Sequence, residues 1–531
     1  MTIKSSLVGY VLLCLMTLFA FPLTAQDSNW SSVLQQLDNG EKTLEQVTAD
    51  PTQVLMIAGQ EDIDAITAWI KTFDAKSPVN QKTQVATLNF IVVRLLEWEY
   101  SEHSKLRVVR LYTELERLLA EFLALPKEEL ESIEDTPMRI LHFLALSKSN
   151  QFVPLLLIAS EKEQLQQNEF WRSILAILST EDSALFSLQR KVLDGVIQGN
   201  LAVAIVEHEN DLAYDQENFS HFLNGPEGER LIREWLSPSL SEEMKANNAA
   251  KTAAISLAFA EMDDWQELIK SARTHPDFAV ALEGAWAGAR RKDDESIDRL
   301  IELAKDVRTS RTAVSYMNEL SLEDRIPAET KDPSFAAKAE LAEWLAYPTE
   351  KGRPPDEMSI VETRNLTWPL EDEPVDVHLI QFVYKDPAGQ KPDEVDIGLV
   401  GPMTFCHFEM KMSTRPKEDI YAIHVYRELE AYELIESVDL AAQPAAYDYM
   451  LKTWKGDTLA NAKIIYVAKL ERSVGYPRRL LALASATLNG EEGYVILDGP
   501  RSKWCPKKDQ VADTPDSAFL MIHLGRQLLN F

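Results

Sequence analysis

Apolar side chains recur every three or four positions through the first two-thirds of the chain. Residues 107–122 are an example, because apolar residues keep one face of a helix there and charged residues keep the other. The apolar members are Val108, Leu111, Leu115, Leu118, Leu119 and Phe122. The same period returns at residues 297–304, behind an acidic segment at 293–296 that suits a first helical turn. Both stretches predict amphipathic helices.

Past Glu371 the period changes to two, which is typical of strands with one buried face. The segments rich in branched and aromatic residues are 377–384, 394–400, 403–410, 464–470, 480–488 and 494–497. Asn489-Gly490 between the last two is a hairpin signal. Pro416 opens a predicted helix, and residues 519–524 fit either a last strand or a helix that starts near Thr514.

Glycine, proline and tryptophan mark the boundary between these two patterns. Ten of the 19 glycines follow Glu350, and Tyr347-Pro348, Pro354-Pro355 and Trp368-Pro369 cluster there. We therefore predict a multidomain chain: an all-α helical-repeat region at 26–350, a junction at 351–371 and a smaller α+β domain at 372–531. The helical region holds about twelve to fifteen helices on this pattern.

A short block within the helical region occurs twice. Residues 275–281 read His-Pro-Asp-Phe-Ala-Val-Ala, residues 332–339 read Asp-Pro-Ser-Phe-Ala-Ala-Lys-Ala, and Trp286 or Trp344 follows. These blocks resemble the HEAT-repeat family, whose helices often begin Asp-Pro and continue with alanines. Lys338 matches the family's basic residue in the second block, whereas Ala281 stands there in the first. The resemblance implies an α-solenoid of stacked helix pairs, and the alternative is an irregular helical domain with two similar helix starts.

The first 25 residues have the three parts of a secretory signal. Lys4 is positive, residues 7–21 are apolar, and Leu23-Thr24-Ala25 offers a small-residue cleavage site. The apolar stretch is shorter than the roughly 20 residues that a membrane-spanning helix needs. We therefore expect an exported protein, periplasmic or extracellular, with no membrane span after cleavage.

Composition narrows the classes of partner. The chain is 45% hydrophobic and 26% charged, as in globular proteins, and its formal net charge is −30. Such a charge repels phosphate backbones, so nucleic acid is not expected as a partner. Cys406 and Cys505 remain after cleavage, and they are either two unconnected core thiols or one disulfide.

The usual catalytic and cofactor motifs are missing from the sequence, so no catalytic residue and no cofactor is assigned. His378, His407, Glu409 and His523 lie on segments predicted as strands, where they are interpreted as ordinary packing or surface residues. The alternative is a His-rich metal site, which could assemble if those strand faces meet. His424 is predicted to be a hydrogen-bonded core residue. No metal site is therefore predicted.

A local reversal of charge stands out near the C-terminus of this acidic chain. Two predicted loops carry basic and aromatic side chains that together form a candidate site for an anion or a partner. The members are Arg472, Tyr476, Arg478 and Arg479 in one loop, and Arg501, Lys503, Trp504, Lys507 and Lys508 in the other. The alternative is that this surface docks on the acidic helical region or is only solvated.

Three functional hypotheses follow. The first is a binding scaffold for proteins or envelope polymers, because stacked helices offer a large surface and need no catalytic residues. The second is a hydrolase or lyase with its active site in the C-terminal α+β domain or at the junction. The third is a structural envelope protein whose partner is a second copy of itself. The scaffold is the function that the sequence favours, with the oligomeric state left open.

Overall fold

The computed structural model describes residues 30–529, apart from short internal segments. The internal residues outside the description are 49–56, 58, 75–81, 100–107, 134, 150, 179–182, 217–218, 238–243, 348–349, 372, 387–389, 438–450, 453, 471–478, 500–501 and 507–516. The predicted signal peptide at 1–25 lies outside the described residues. Within the described part, no helix is long and apolar enough to cross a membrane.

The chain divides into two compact units, Met1–Arg291 and Lys292–Phe531. The described part of the first unit is helical. Its helices are α1 (Trp30–Asp38), α2 (Leu44–Thr48), α3 (Gln60–Thr72), α4 (Lys82–Glu99), α5 (Val109–Leu123), α6 (Lys127–Glu131), α7 (Asp135–Leu146), α8 (Phe152–Ser160), α9 (Trp171–Leu175), α10 (Ser183–Leu193), α11 (Gly199–Asp215), α12 (Pro226–Leu236), α13 (Met244–Ser256), α14 (Trp265–Arg273) and α15 (Phe278–Arg290). The amphipathic helix predicted around residues 108–122 is confirmed as α5.

These helices stack in two rows. The odd-numbered helices form the first row, in which each helix from α1 to α13 packs on the next odd-numbered one, up to α15. The even-numbered helices α8, α10, α12 and α14 form a second row, and neighbours in sequence join the two rows. Helices of the first unit thus pack on neighbours in their own row and on helices of the other row. The first unit is therefore a layered stack of helix pairs.

Many hydrogen bonds between successive layers join residues that are 31 to 37 positions apart. Trp69 donates to Asp38 across 31 residues, Asn168 to Asp135 across 33, and Arg190 to Glu227 across 37. The blocks at 275–281 and 332–339, in contrast, fall in different units. The two similar blocks are therefore not successive layers of the stack. The layers themselves need no common sequence, because many apolar residue types can fill a stacking position.

Both blocks nevertheless begin helices as their residue types predict. The Asp277 carboxylate accepts hydrogen bonds from the backbone N–H groups of Ala279 and Val280 at the start of α15. Asp332 accepts from Phe335 in the same way at the start of the last helix before the strands. Each aspartate satisfies N–H groups that have no partner inside the helix.

Five helices are defined in the described part of the second unit, three before its strands, one between the fourth and fifth strands and one after the ninth. They are α16 (Asp294–Ala304), α17 (Ser310–Glu319), α18 (Pro333–Leu345), α19 (Lys417–Ala431) and α20 (Ser517–Leu528). The strands are β1 (Glu357–Leu366), β2 (Val375–Tyr384), β3 (Glu394–Val400), β4 (Thr404–Phe405), β5 (Ile435–Ser437), β6 (Leu459–Leu470), β7 (Arg479–Leu488), β8 (Glu491–Leu497) and β9 (Lys503–Pro506). A helical region followed by an α+β part is thus confirmed.

The strands form two antiparallel sheets, each in chain order: β1–β2–β3–β4 and β5–β6–β7–β8–β9. Alternate residues of one strand enter different cores. Leu379 of β2 lies in a cluster that both sheets share with α19 and α20, while Ile380 and Phe382 lie in a second cluster with α18. The first sheet is therefore covered on both faces, which explains its apolar runs.

Two details differ from the sequence prediction, and the structure decides one alternative that the sequence left open. The strand expected at 403–410 is only β4, followed by a 3₁₀ turn at Phe408–Met410, so His407 and Glu409 do not share a strand face. Residues 519–524 belong to α20, so the helical alternative is the one that forms. The predicted junction contains β1, which the sequence did not reveal because Glu357, Glu362 and Arg364 interrupt its apolar alternation.

Candidate functional site

A pocket of about 600 Å³ lies beside the C-terminal end of α19. One wall comes from the connection after β3 and includes Met403, Phe405 and His407. The other wall is the last turn of α19, with Arg427, Glu430 and the exposed Tyr432. A mostly apolar concavity of this size with a few polar groups has the form of a small-molecule site.

Helix termination sets the shape of the α19 wall. The backbone N–H of Leu434 donates to the carbonyl of Leu429 at 2.8 Å, and Glu433 takes a positive φ of 57°. This is the chain reversal that ends many helices, here with a residue other than glycine in the left-handed position. It turns the chain away after Tyr432, so the pocket stays open beside the last helical turn.

His407 is a neutral base in the wall of the pocket. Burial, together with smaller effects of the neighbouring His424 and Arg427, lowers its pKa to about 3. Its ring contacts Phe405 edge to face at 4.6 Å between centroids and lies 5.1 Å from the His424 ring. The Nε2 atom of His407 is buried without a hydrogen-bond partner.

His424 behind it is fully buried, as the sequence predicted. Its Nδ1 lies 2.7 Å from the carbonyl oxygen of Ile420, and its Nε2 lies 3.2 Å from that of Phe405. Burial lowers the pKa of His424, and the contacts of its ring with the two carbonyl oxygens oppose this shift. This histidine joins α19 to the wall that carries Phe405 and His407, and thus positions that wall.

The two carboxylates of the last turn already have partners. Glu428 is buried, and the indole N–H of Trp368 donates to it. Burial raises the pKa of Glu428, and this hydrogen bond opposes the rise. Glu430 accepts from Nη1 of Arg427 at 2.5 Å, while Nε of Arg427 is buried without a partner. The polar atom without a partner on this wall is thus the N–H donor of Arg427. A buried donor without a hydrogen bond destabilises the folded state by about 1–3 kcal/mol.

The basic loops predicted from the sequence fall mostly outside the described residues, namely Arg472, Tyr476, Arg478, Arg501, Lys507 and Lys508. Arg479 is the first residue of β7, and Lys503 begins β9 with an exposed side chain. Trp504 packs on the outer face of the second sheet, where a Cβ on Gly493 would come within 2.5 Å of its ring. Trp504 is thus partly covered by its own sheet.

The two cysteines lie on different sheets. Cys406 is buried between the first sheet and α18, and Cys505 is paired with Tyr494 at the edge of the second sheet. Both are free thiols in the structure, which corresponds to the alternative of unconnected cysteines. Burial raises the pKa of the Cys406 thiol well above its ordinary value, so this thiol is protonated and unreactive.

The fold separates the other two histidines of the predicted C-terminal domain, His378 and His523, from each other. His378 on β2 lies 2.9 Å from the hydroxyl of Thr363 on β1, and His523 belongs to α20. Among the described residues, no group of three His, Cys, Asp or Glu side chains could hold a metal ion.

The sequence did not point to the pocket, because Arg427 and Glu430 look like an ordinary solvated ion pair on a helix. Only the contact of their turn with the connection after β3 makes a cavity.

Comparison with protein-family models, curated proteins and solved structures found no match to this chain.

Proposed function

We propose that this protein is an exported scaffold that binds protein partners or polymers of the cell envelope through its stacked helices. The observation that supports this function is the double row of helices from Trp30 to Arg290. Each added helix pair extends the surface, and such stacks serve widely as binding surfaces. Membership of the HEAT-like class is our interpretation of the helix starts and of the stack together.

Exposed apolar side chains on the even-numbered row support a partner surface there. Phe186 of α10 is 61% exposed, Val196 after α10 is 54% exposed, and Ile158 of the neighbouring α8 is 46% exposed. Single exposed apolar residues are common, but here three lie on or beside neighbouring helices of one row, and aromatic residues are frequent binding hot spots.

Site-specific photo-crosslinking in the native cell envelope tests this function. A photoreactive phenylalanine analogue at Phe186 should crosslink to a partner, and Phe186→Asp should abolish co-purification of that partner. Val109 on α5 is 75% exposed and serves as the control position, where neither crosslinks nor an effect of Val109→Asp is expected. Equal crosslinking from both positions, or none from Phe186, would contradict the proposal.

Export is tested separately by the N-terminus of the protein purified from cells. We expect it to begin at Gln26, because the signal peptide is removed after Ala25. A protein that retains Met1 and fractionates with the cytoplasm would refute export. Size measured over a range of concentrations distinguishes a scaffold from the self-associating envelope protein of the third hypothesis.

The pocket beside α19 supports a second candidate, a hydrolase or lyase acting in the C-terminal part, because it holds His407 near Glu428 and Glu430. The chemistry favours binding over catalysis, however. A histidine whose pKa is about 3 is a weak general base at neutral pH, and both carboxylates are already hydrogen bonded. Turnover of esters or glycosides that His407→Ala abolishes would reverse this preference.

A further inference from the structure

The polar groups of the pocket beside α19 indicate the kind of ligand that it would accept. The carboxylates of Glu428 and Glu430 are engaged by Trp368 and Arg427. The atoms without a partner are Nε of Arg427 and Nε2 of His407. Arginine Nε can only donate a hydrogen bond, so the missing group is an acceptor oxygen.

The Arg427 guanidinium is accessible enough to take a further partner. Its side chain is 39% exposed and that of Glu430 is 41% exposed, so their ion pair is in contact with water. Pairs of this kind on helices are weak, because water and salt screen them. A carboxylate from a ligand that meets the guanidinium edge formed by Nε and Nη2 would form the two parallel hydrogen bonds that arginine prefers, while Glu430 stays on Nη1.

The rest of the cavity is apolar. Met403 and Phe405 form one side, and the exposed ring of Tyr432 stands at the rim. A fully polar ligand would leave these walls uncovered, whereas an aryl or alkyl group would bury them. The neutral His407 ring adds one further hydrogen-bonding atom without adding charge.

We propose that this pocket binds a small carboxylic acid with an apolar body, whose carboxylate accepts hydrogen bonds from the Nε edge of Arg427 and whose body packs against Met403 and Phe405. This inference is independent of the scaffold function, since it concerns a different unit of the chain. It names a ligand class, aryl- or alkyl-substituted monocarboxylates, for a site without an assigned role.

Titration calorimetry on the full mature chain tests it with 3-phenylpropanoate as the probe. The neutral 3-phenylpropanamide and the cationic 3-phenylpropylamine have nearly the same apolar body and differ in their polar end. We expect saturable binding of the carboxylate, binding of the amide at least roughly tenfold weaker, and no binding of the amine, because an ionised acceptor strengthens a hydrogen bond to arginine.

Variants then locate the site. Arg427→Gln should weaken binding of the carboxylate by about tenfold or more. Glu430→Gln should strengthen it by about twofold, because a like charge beside the bound carboxylate is removed. Arg427→Lys keeps the positive charge but has no Nε–H donor at that place, so it should also bind more weakly. Arg299 and Glu302 form a similar pair at 2.9 Å, three residues apart on α16, so Arg299→Gln and Glu302→Gln are the matched controls.

Several results would overturn the proposal. They are the absence of saturable binding, binding of the amine as tight as that of the carboxylate, and an unchanged affinity in Arg427→Gln with an unchanged circular dichroism spectrum. If Arg427→Gln does not fold, Glu430→Gln still decides, because unchanged or weaker binding there contradicts a carboxylate bound next to Glu430 at Arg427. Failure of the crosslinking test at Phe186 would leave this result unaffected.

Discussion

Glu209 of α11 is a buried carboxylate whose ionisation should lower the stability of the helical unit. Its side chain is 2% exposed. Gln189 donates a hydrogen bond to it at 2.5 Å, and the backbone N–H of Phe222 donates another. Burial raises its pKa from 4.5 to about 7, and these two hydrogen bonds only partly oppose the rise.

The sign of the effect follows from the protons bound by each state. Between about pH 4.5 and about pH 7 the folded protein keeps the proton on Glu209 that the unfolded chain has lost. The free energy of unfolding therefore falls as pH rises through this window, by about 1.4 kcal/mol per unit and about 3 kcal/mol in total. Above the folded pKa the loss is complete.

Glu209→Gln removes this ionisation and keeps an oxygen that can accept from Gln189. We expect the variant to be more stable than the natural protein by about 3 kcal/mol near pH 8, and nearly equal to it near pH 4.5. The assay is urea unfolding at several pH values, followed by far-ultraviolet circular dichroism. The difference in unfolding free energy between variant and natural protein reports on Glu209 alone, because other titrating groups contribute equally to both. One such group is the buried His221, whose pKa burial lowers to about 4.

Glu234→Gln is the matched control for this experiment. Its side chain on α12 is 68% exposed and makes only a 3.9 Å contact with Arg230, so its effect should stay within about 0.5 kcal/mol at every pH. The reasoning would be refuted if Glu209→Gln and the natural protein kept the same stability difference at all pH values. It would also be refuted if the variant were the less stable one near pH 8.

The other predictions concern packing, capping and a buried hydrogen bond. Gly525→Ala should destabilise the second unit by about 1–3 kcal/mol in thermal or urea unfolding, because its Cβ would lie 2.0 Å from the backbone oxygen of Ala422 where α20 packs on α19. Asp277→Ala should cost the helical unit about 1 kcal/mol and Asp277→Asn much less, since asparagine also caps helices; equal losses would contradict the capping role. Trp368→Phe should cost about 1–3 kcal/mol, with the larger loss near pH 8, because the ionised Glu428 loses its donor; a loss independent of pH would show that only packing volume matters.

The sequence predicted the local structure of this protein because local structure depends on neighbouring residues. The period of three to four predicted α5, and the carboxylates of Asp277, Asp293 and Asp332 cap helices as their positions suggest. Asn489-Gly490 forms the predicted turn between β7 and β8, with positive φ at both residues. The change from helices to strands near residue 350 follows from the same local patterns.

The sequence was less informative where a segment depends on distant partners. The strand β1 is hidden by charged residues, yet it forms because β2 offers a complete row of backbone donors and acceptors. The segment around His407 has strand-like residues, but it leaves the sheet after Phe405 and turns towards α19. Alternation alone cannot tell whether a neighbouring strand will be present to pair with.

What the sequence by itself determined is therefore the order and type of most elements, the polar and apolar faces of the helices, and the chain's acidic charge. Only the tertiary structure decided that the helices stack in two rows, that Glu209 is buried, and that Arg427 meets His407 across a pocket. The physical reason is the distance along the chain over which the interactions act. Helix periods, caps and turns are set by interactions within a few residues, whereas burial, pKa shifts and cavities depend on side chains that are far apart in the chain.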